Sequence, residues 1–198
     1  MNVQLTQTEN KKLAIFDHTI QLIHIRGFHG TPMSLIAQHA GVAIGTIYHY
    51  FPSKTDLILS LFKHTKLKLR NYLFEKDNTD QCFEARFKDT LSRFILFYWK
   101  YPEILNFFDQ FYSSPYYQMV KDKKHEETMC GENVILNFIK EGVAKGELKD
   151  IDPTITSTIF LSTAIGIVKK SIIENQEISP QHMDVFVDIL WDGVKQST

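Results

Sequence analysis

Between Ala43 and Phe51 the chain reads AIGTIYHYF, a run of small, hydroxylic, imidazole and phenol side chains. Wound as a helix at 100° per residue, it puts Ile47 and Phe51 one turn apart on an inward edge. Gly45, Thr46, His49 and Tyr50 then share the opposite face, with Tyr48 at its margin. Small residues permit close approach to another surface. Hydroxyl, imidazole and phenol groups bond phosphate oxygens and base edges, and apolar atoms meet thymine methyls. Lys54 adds a cation within reach of a phosphate, together with the backbone N–H groups of its helix start. This is the chemistry of reading a nucleic-acid duplex. Tyr48 and Tyr50 have a second reading, as packing against the first and fourth helices. His39 and His64 are expected on solvated surface. No GxSxG, HExxH or glycine-rich phosphate loop occurs, and the acidic residues are scattered, so the pattern is not that of an enzyme.

The elements that must position this face are legible on both sides of it. Leu13, Phe16, Ile20 and Ile23 recur at three- and four-residue steps, giving an amphipathic first helix that stops near Gly27. Thr31-Pro32 reads as a hydroxyl N-cap followed by proline at the first helical position. Leu35, Ile36 and Ala40 supply the inward face of a second helix, and Gly41 makes the turn. Ser53 to Asp56 has the form of a capping box, opening a long helix through Leu57 and Leu61 to about Phe74. Helix, glycine turn, short helix is the helix-turn-helix order, in which the second helix of the pair enters the major groove.

Charge supports this polarity. The net charge of the 198 residues is −1, but residues 1–72 carry eight Lys and Arg against three Asp and Glu, and residues 73–198 carry fourteen against twenty. A basic end on an acidic body fits a DNA-facing module. Hydrophobic residues at 43% suffice for a core without disulfides. Cys82 and Cys130 lie far apart without metal-ligand spacing and read as reduced thiols; no metal or cofactor is expected. The polar start MNVQLTQTENKK has no apolar signal core, and no uncharged run reaches the length of a membrane span. The expectation is a soluble cytoplasmic protein with no membrane partner.

The rest of the chain is helical in pattern, giving an all-α fold of about nine helices. The polar stretch Glu75 to Gln81 is the natural boundary, so the expected division is a DNA-binding domain over residues 1–53, a connecting helix over 54–78 and a body over 79–198. Within the body, helices are expected over about 83–101, 103–112, a long one from beyond Pro115 to Lys145, 153–174 and 180–194. The last two are apolar around more than one face, through Phe160, Leu161, Ala164, Ile165, Val168, Phe186, Ile189 and Leu190. Such helices suit a four-helix interface with a second copy; a helix buried inside a monomer is the alternative.

At Ile36-Ala37, Ala40-Gly41-Val42, Gly45-Thr46-Ile47-Tyr48, Tyr50-Phe51, Ser53-Lys54 and Asp56-Leu57, the chain resembles the TetR/AcrR family of bacterial transcriptional regulators. The resemblance covers about a quarter of the chain. It implies a cytoplasmic homodimer in which a three-helix DNA-binding domain carries a larger helical domain for ligand binding and dimerisation. Family contacts to operator DNA carry over to Thr31, Ser34, Ala43, Ile44, Gly45, Thr46, Tyr48, His49, Tyr50 and Lys54. Ala43 departs from the frequent Ser or Thr cap, and Ile44 from a frequent Lys or Arg.

Residues 94–119 hold eleven aromatics. By composition they form either a filled core or an apolar cavity. The resemblance implies a cavity among these helices, with Phe94, Tyr98, Phe108, Phe111, Tyr112, Tyr116 and Asn137 as its lining. Sparse charge there implies a small apolar or aromatic effector. The expected function is a repressor released by that effector; the alternative is a DNA-binding protein whose body holds a protein partner.

Overall fold

The computed structural model describes residues 7–75, 80–122 and 134–196. Among these the chain forms ten helices and no strand beyond an isolated bridge between Leu148 and Lys195. They are α1 (Gln7–Arg26), α2 (Met33–His39), α3 (Ile44–Tyr50), α4 (Lys54–Phe74), α5 (Phe83–Lys100), α6 (Pro102–Tyr112), α7 (Pro115–Asp122), α8 (Val134–Ala144), α9 (Pro153–Glu174) and α10 (Pro180–Val194). The long helix expected from beyond Pro115 to Lys145 is represented by α7 and α8. Its middle, with Cys130, lies outside the described residues.

Helix ends follow local chemistry. Gly27 and Gly146 take positive φ of 66° and 70°, which glycine adopts without a Cβ penalty, and so close α1 and α8. Asp152 accepts a hydrogen bond from the Thr154 N–H at 2.9 Å, and Ser179 from the His182 N–H at 3.2 Å, each ahead of a proline at the first helical position.

Two expected caps differ. Pro32, not Thr31, is the cap of α2, and Thr31 is buried with its hydroxyl donating back to the Gly27 carbonyl at 2.8 Å. The short α1–α2 connection turns Thr31 inward, where its hydroxyl takes the nearest open carbonyl. At α4 the Ser53 hydroxyl accepts from the Asp56 N–H at 3.1 Å and donates to the Asp56 carboxylate at 2.7 Å. The reciprocal half of the box is therefore closed through the hydroxyl, not through a backbone N–H.

The packing divides within α4. Described residues up to Thr65, with those of α6 and α7, form one compact unit; Lys66–Pro102 with α8, α9 and α10 form the other. This partition differs from the expected linear one at residues 53 and 78, because α6 packs with the N-terminal helices. In the first unit the Gln110 amide on α6 donates to the Ile23 carbonyl of α1 at 3.3 Å. Phe62 of α4 stacks on Phe111 of α6 with centroids 4.0 Å apart, and Phe28, in the α1–α2 connection, meets Phe107 at 6.0 Å and Tyr116 at 5.2 Å.

In the second unit α5 packs on α9 and α10. Phe87 meets Phe160 edge-on at 5.6 Å and Trp191 at 5.3 Å, and Phe83 stacks on Phe138 at 5.0 Å. A bidentate pair joins the buried Arg86 to Glu141 at 2.5 and 3.3 Å, with the guanidinium over the Phe138 ring. This pairing, joined by Lys145, holds the Glu141 carboxyl down to about 2. Helix α9, at 22 residues, is long and apolar enough by length and composition to cross a bilayer, yet Phe160, Ala164 and Val168 along it are buried within the chain.

Candidate nucleic-acid interface

The short helix α3 is shaped by what it buries. Ile47 is fully buried and Phe51, at its C-cap, nearly so, and Phe51 packs on Phe16 of α1 at 5.5 Å. The second helix presents Met33, Ile36 and Ala37 inward. Leu35 and Ala40, expected there, are only half-buried. With Ile15, Ile23, Leu57 and Leu61 these residues form the core that fixes the angle of α3.

The opposite side of α3 is open. Gly45 and His49 are exposed, Tyr48 is 50% exposed, and Thr46 and Tyr50 are half-buried. A Cβ built on Gly45 would meet nothing within 4 Å, so the backbone there is free for close approach. The Tyr50 ring lies 5.5 Å from that of His49 and 6.4 Å from that of Phe51, its neighbours in sequence. Ala43 caps the helix with extended backbone and no side-chain hydrogen bond, leaving the first amides of α3 without the hydroxyl that a Ser or Thr would supply. Ile44 is 43% exposed and does not pack inward. Ser34 is exposed on α2.

Two expected contacts are placed elsewhere. Thr31 has no exposed surface and its hydroxyl is satisfied internally, which removes it from any groove-facing set. Lys54 is half-buried, and its ammonium donates to the Phe28 carbonyl; desolvation there pushes its pKa below the ordinary lysine value. His39 is exposed as expected, whereas His64 is half-buried with its ring 4.9 Å from that of Phe16.

The other candidate residues scatter. Phe94, Tyr98, Phe108 and Phe111 are buried, Tyr116 is half-buried, and Tyr112 and Asn137 are exposed. Phe94, Tyr98 and Asn137 belong to one compact unit and the remaining four to the other. Among the proposed dimer residues, Phe160, Ala164, Val168 and Leu190 are buried within the single chain, which excludes them from its outer surface. Leu161, Ile165 and Phe186 are half-buried and Ile189 is 66% exposed. The outward apolar side of these helices instead runs through Ile155, Ile159 and Ile173 on α9 and Val185 and Ile189 on α10. Total apolar content, readable in sequence, does not separate the two sides of such a helix.

A three-helix head with an open, polar α3 face defines a helix-turn-helix DNA-binding protein. Residues 15–61 match the model of the bacterial regulatory proteins of the tetR family, and residues 82–195 match a tetracyclin repressor-like C-terminal domain. The chain belongs to the TetR family and is a DNA-binding transcriptional regulator. It is 26% identical to an uncharacterized HTH-type transcriptional regulator of Haemophilus influenzae over 183 residues, 92% of this chain and 94% of that one. It is 44% identical to the fatty acid metabolism regulator protein of Bacillus subtilis over 59 residues, only 30% of each chain. A solved tetR family transcription regulator from Shewanella sp. PV-4 matches at a TM-score of 0.78 and 25% identity, covering 94% of this chain and 99% of that one.

Proposed function

We propose that this regulator is a cytoplasmic repressor that acts as a homodimer, placing two copies of α3 in successive major grooves of its operator. The observation that carries this reading is the split of α3 into a buried Ile47–Phe51 edge and an open face of Gly45, Thr46, Tyr48 and His49. Operator half-sites one helical turn apart, about 34–36 Å, then mirror the two-fold symmetry of the dimer. The outward isoleucines of α9 and α10 support the dimer, since apolar side chains spaced by helical turns along two neighbouring helices gain by mutual burial.

The release step is assigned to a small apolar or aromatic effector held by the aromatic body. Within one compact unit, the aromatics Phe108, Phe111, Tyr112 and Tyr116 of α6 and α7 support that class of ligand. Helix α4 contributes residues to both compact units and is the covalent element through which occupancy is relayed. The match to the Bacillus regulator spans 59 residues, 30% of each chain, and does not by itself name the effector.

A second reading, in which the body holds a protein partner, draws on Leu96 and Trp99, which are exposed one turn apart on α5. A gel shift with the promoter flanking the regulator's own gene tests DNA binding, and titrating apolar and aromatic compounds into that complex tests release. Absence of salt-sensitive binding to any such fragment refutes the first reading. Operator binding that no small compound alters transfers support to the second.

A further inference from the structure

Lys12, in the second turn of α1, is exposed, and its ammonium lies 5.7 Å from the centre of the Phe16 ring and 5.6 Å from that of Phe51. The two rings are themselves 5.5 Å apart, so the cation sits over both. Phe51 is the C-cap of α3. A charge from α1 is thereby held at the C-terminal end of the recognition helix. Among the described residues no carboxylate pairs with it.

A seven-residue helix is about 10 Å long. The major groove it enters is about 12 Å wide and walled by phosphates on both sides. A cation fixed at one end of such a helix therefore stands against the groove wall, not over the bases. Phosphate contacts of this kind set the register of a reading helix. Lys54, the lysine of this unit that the family resemblance assigns to a phosphate, is engaged by the Phe28 carbonyl. Lys11, Arg26 and Lys63 are exposed, and among the described residues none of them is held against α3 by a ring or hydrogen bond. Seating the Lys12 ammonium on two rings also lowers the rotamer freedom that a phosphate contact must otherwise remove.

We infer that Lys12 is a positioning residue that grips a DNA backbone phosphate beside the C-terminal end of α3. The inference rests on α3 entering the major groove. It is tested by fluorescence anisotropy on the full chain, with a duplex selected by the protein from a random library and an unselected duplex of equal length, from 50 to 300 mM salt. Lys12→Gln is expected to lower affinity for both duplexes by a similar factor, about threefold to tenfold at 150 mM salt. The slope of log K against log salt should become shallower by about 0.9 for each bound subunit. Lys12→Arg should keep affinity and slope, and Lys12→Met, which retains the apolar stem over the rings, should behave as Lys12→Gln. An unchanged slope overturns the assignment, even where affinity falls, because loss of packing at Phe51 does not alter counterion release. A loss confined to the selected duplex overturns it too, since that marks a base contact. If the wild-type chain binds neither duplex, the groove-entry reading and this inference fall together; wild-type binding with unaltered variants removes Lys12 alone.

Discussion

The ammonium of Lys54 donates a hydrogen bond to the backbone carbonyl of Phe28, tying the first turn of α4 to the connection between α1 and α2. Phe28 in turn packs against Phe107 of α6 and Tyr116 of α7. One lysine thus closes a polar gap at the edge of an aromatic cluster. Removing the ammonium leaves a part-buried carbonyl without its donor, which costs about 1–2 kcal/mol. Lys54→Met is expected to lower the thermal midpoint by several degrees, with a smaller change in the salt slope of DNA binding than Lys12→Gln produces. Calorimetry paired with salt titrations checks both halves of that expectation.

Tyr48 is half exposed on the open face of α3. Tyr48→Ala is expected to weaken operator binding by about tenfold or more, in the range of a lost base or phosphate contact of 1–3 kcal/mol. The thermal midpoint should move by less than about 2 °C, since exposed substitutions change stability by roughly half a kcal/mol or less. A large stability loss with intact binding contradicts the assignment.

Phe160 and Ile189 separate folding from association. Phe160 is 1% exposed and contacts Phe87 and Phe94, so Phe160→Ala should cost about 3–5 kcal/mol of stability. Ile189 is 66% exposed, and Ile189→Glu should leave the helical content unchanged while shifting the solution mass from dimer to monomer. Light scattering and circular dichroism on the two variants check this; a folded Ile189→Glu chain of unchanged mass counts against α10 as the interface.

Glu141 carries a pH dependence. Its carboxyl titrates at about 2 in the folded chain because the Arg86 guanidinium, assisted by Lys145, favours the ionised form. An unfolded glutamate titrates near 4.3. The pair therefore contributes its full stability above about pH 4.5, and the contribution is lost as pH falls from there toward 2. Glu141→Gln should flatten the acid limb of the stability curve over that window. At neutral pH it should cost about 2 kcal/mol, below the value for a fully buried pair because the Glu141 side chain is a third exposed. Denaturant midpoints from pH 2.5 to 7 measure both effects.

How far the head could be read in advance follows from the range of the interactions that build it. Ile47 and Phe51 are buried and Gly45 and His49 open because a helix repeats every 3.6 residues, a rule that needs only local sequence. Gly27 ended its helix as read, and Gly146, Asp152 and Ser179 bound theirs by the same kind of local chemistry, since caps and positive-φ turns are settled within four residues. The internal partners of Thr31 and Lys54 were not legible in the sequence for the opposite reason. Their polar atoms found the carbonyls of Gly27 and Phe28, and which carbonyl lies open is decided only when the α1–α2 connection folds against its neighbours.

The same limit applies to the body. Phe160, Ala164, Val168 and Ile189 all read as apolar positions on two apolar helices, and periodicity cannot say which side is buried against α5 and which stays exposed. Lys12 carried no signal by itself, because its distance to Phe51 spans thirty-nine positions of sequence. By itself the sequence determined the helical class, which side of α3 is buried and which is open, and the family, all carried by short-range pattern. Tertiary structure alone decided which lysine is engaged by a carbonyl and which stands beside the recognition helix, because a charge goes where packing leaves a ring or a carbonyl to receive it.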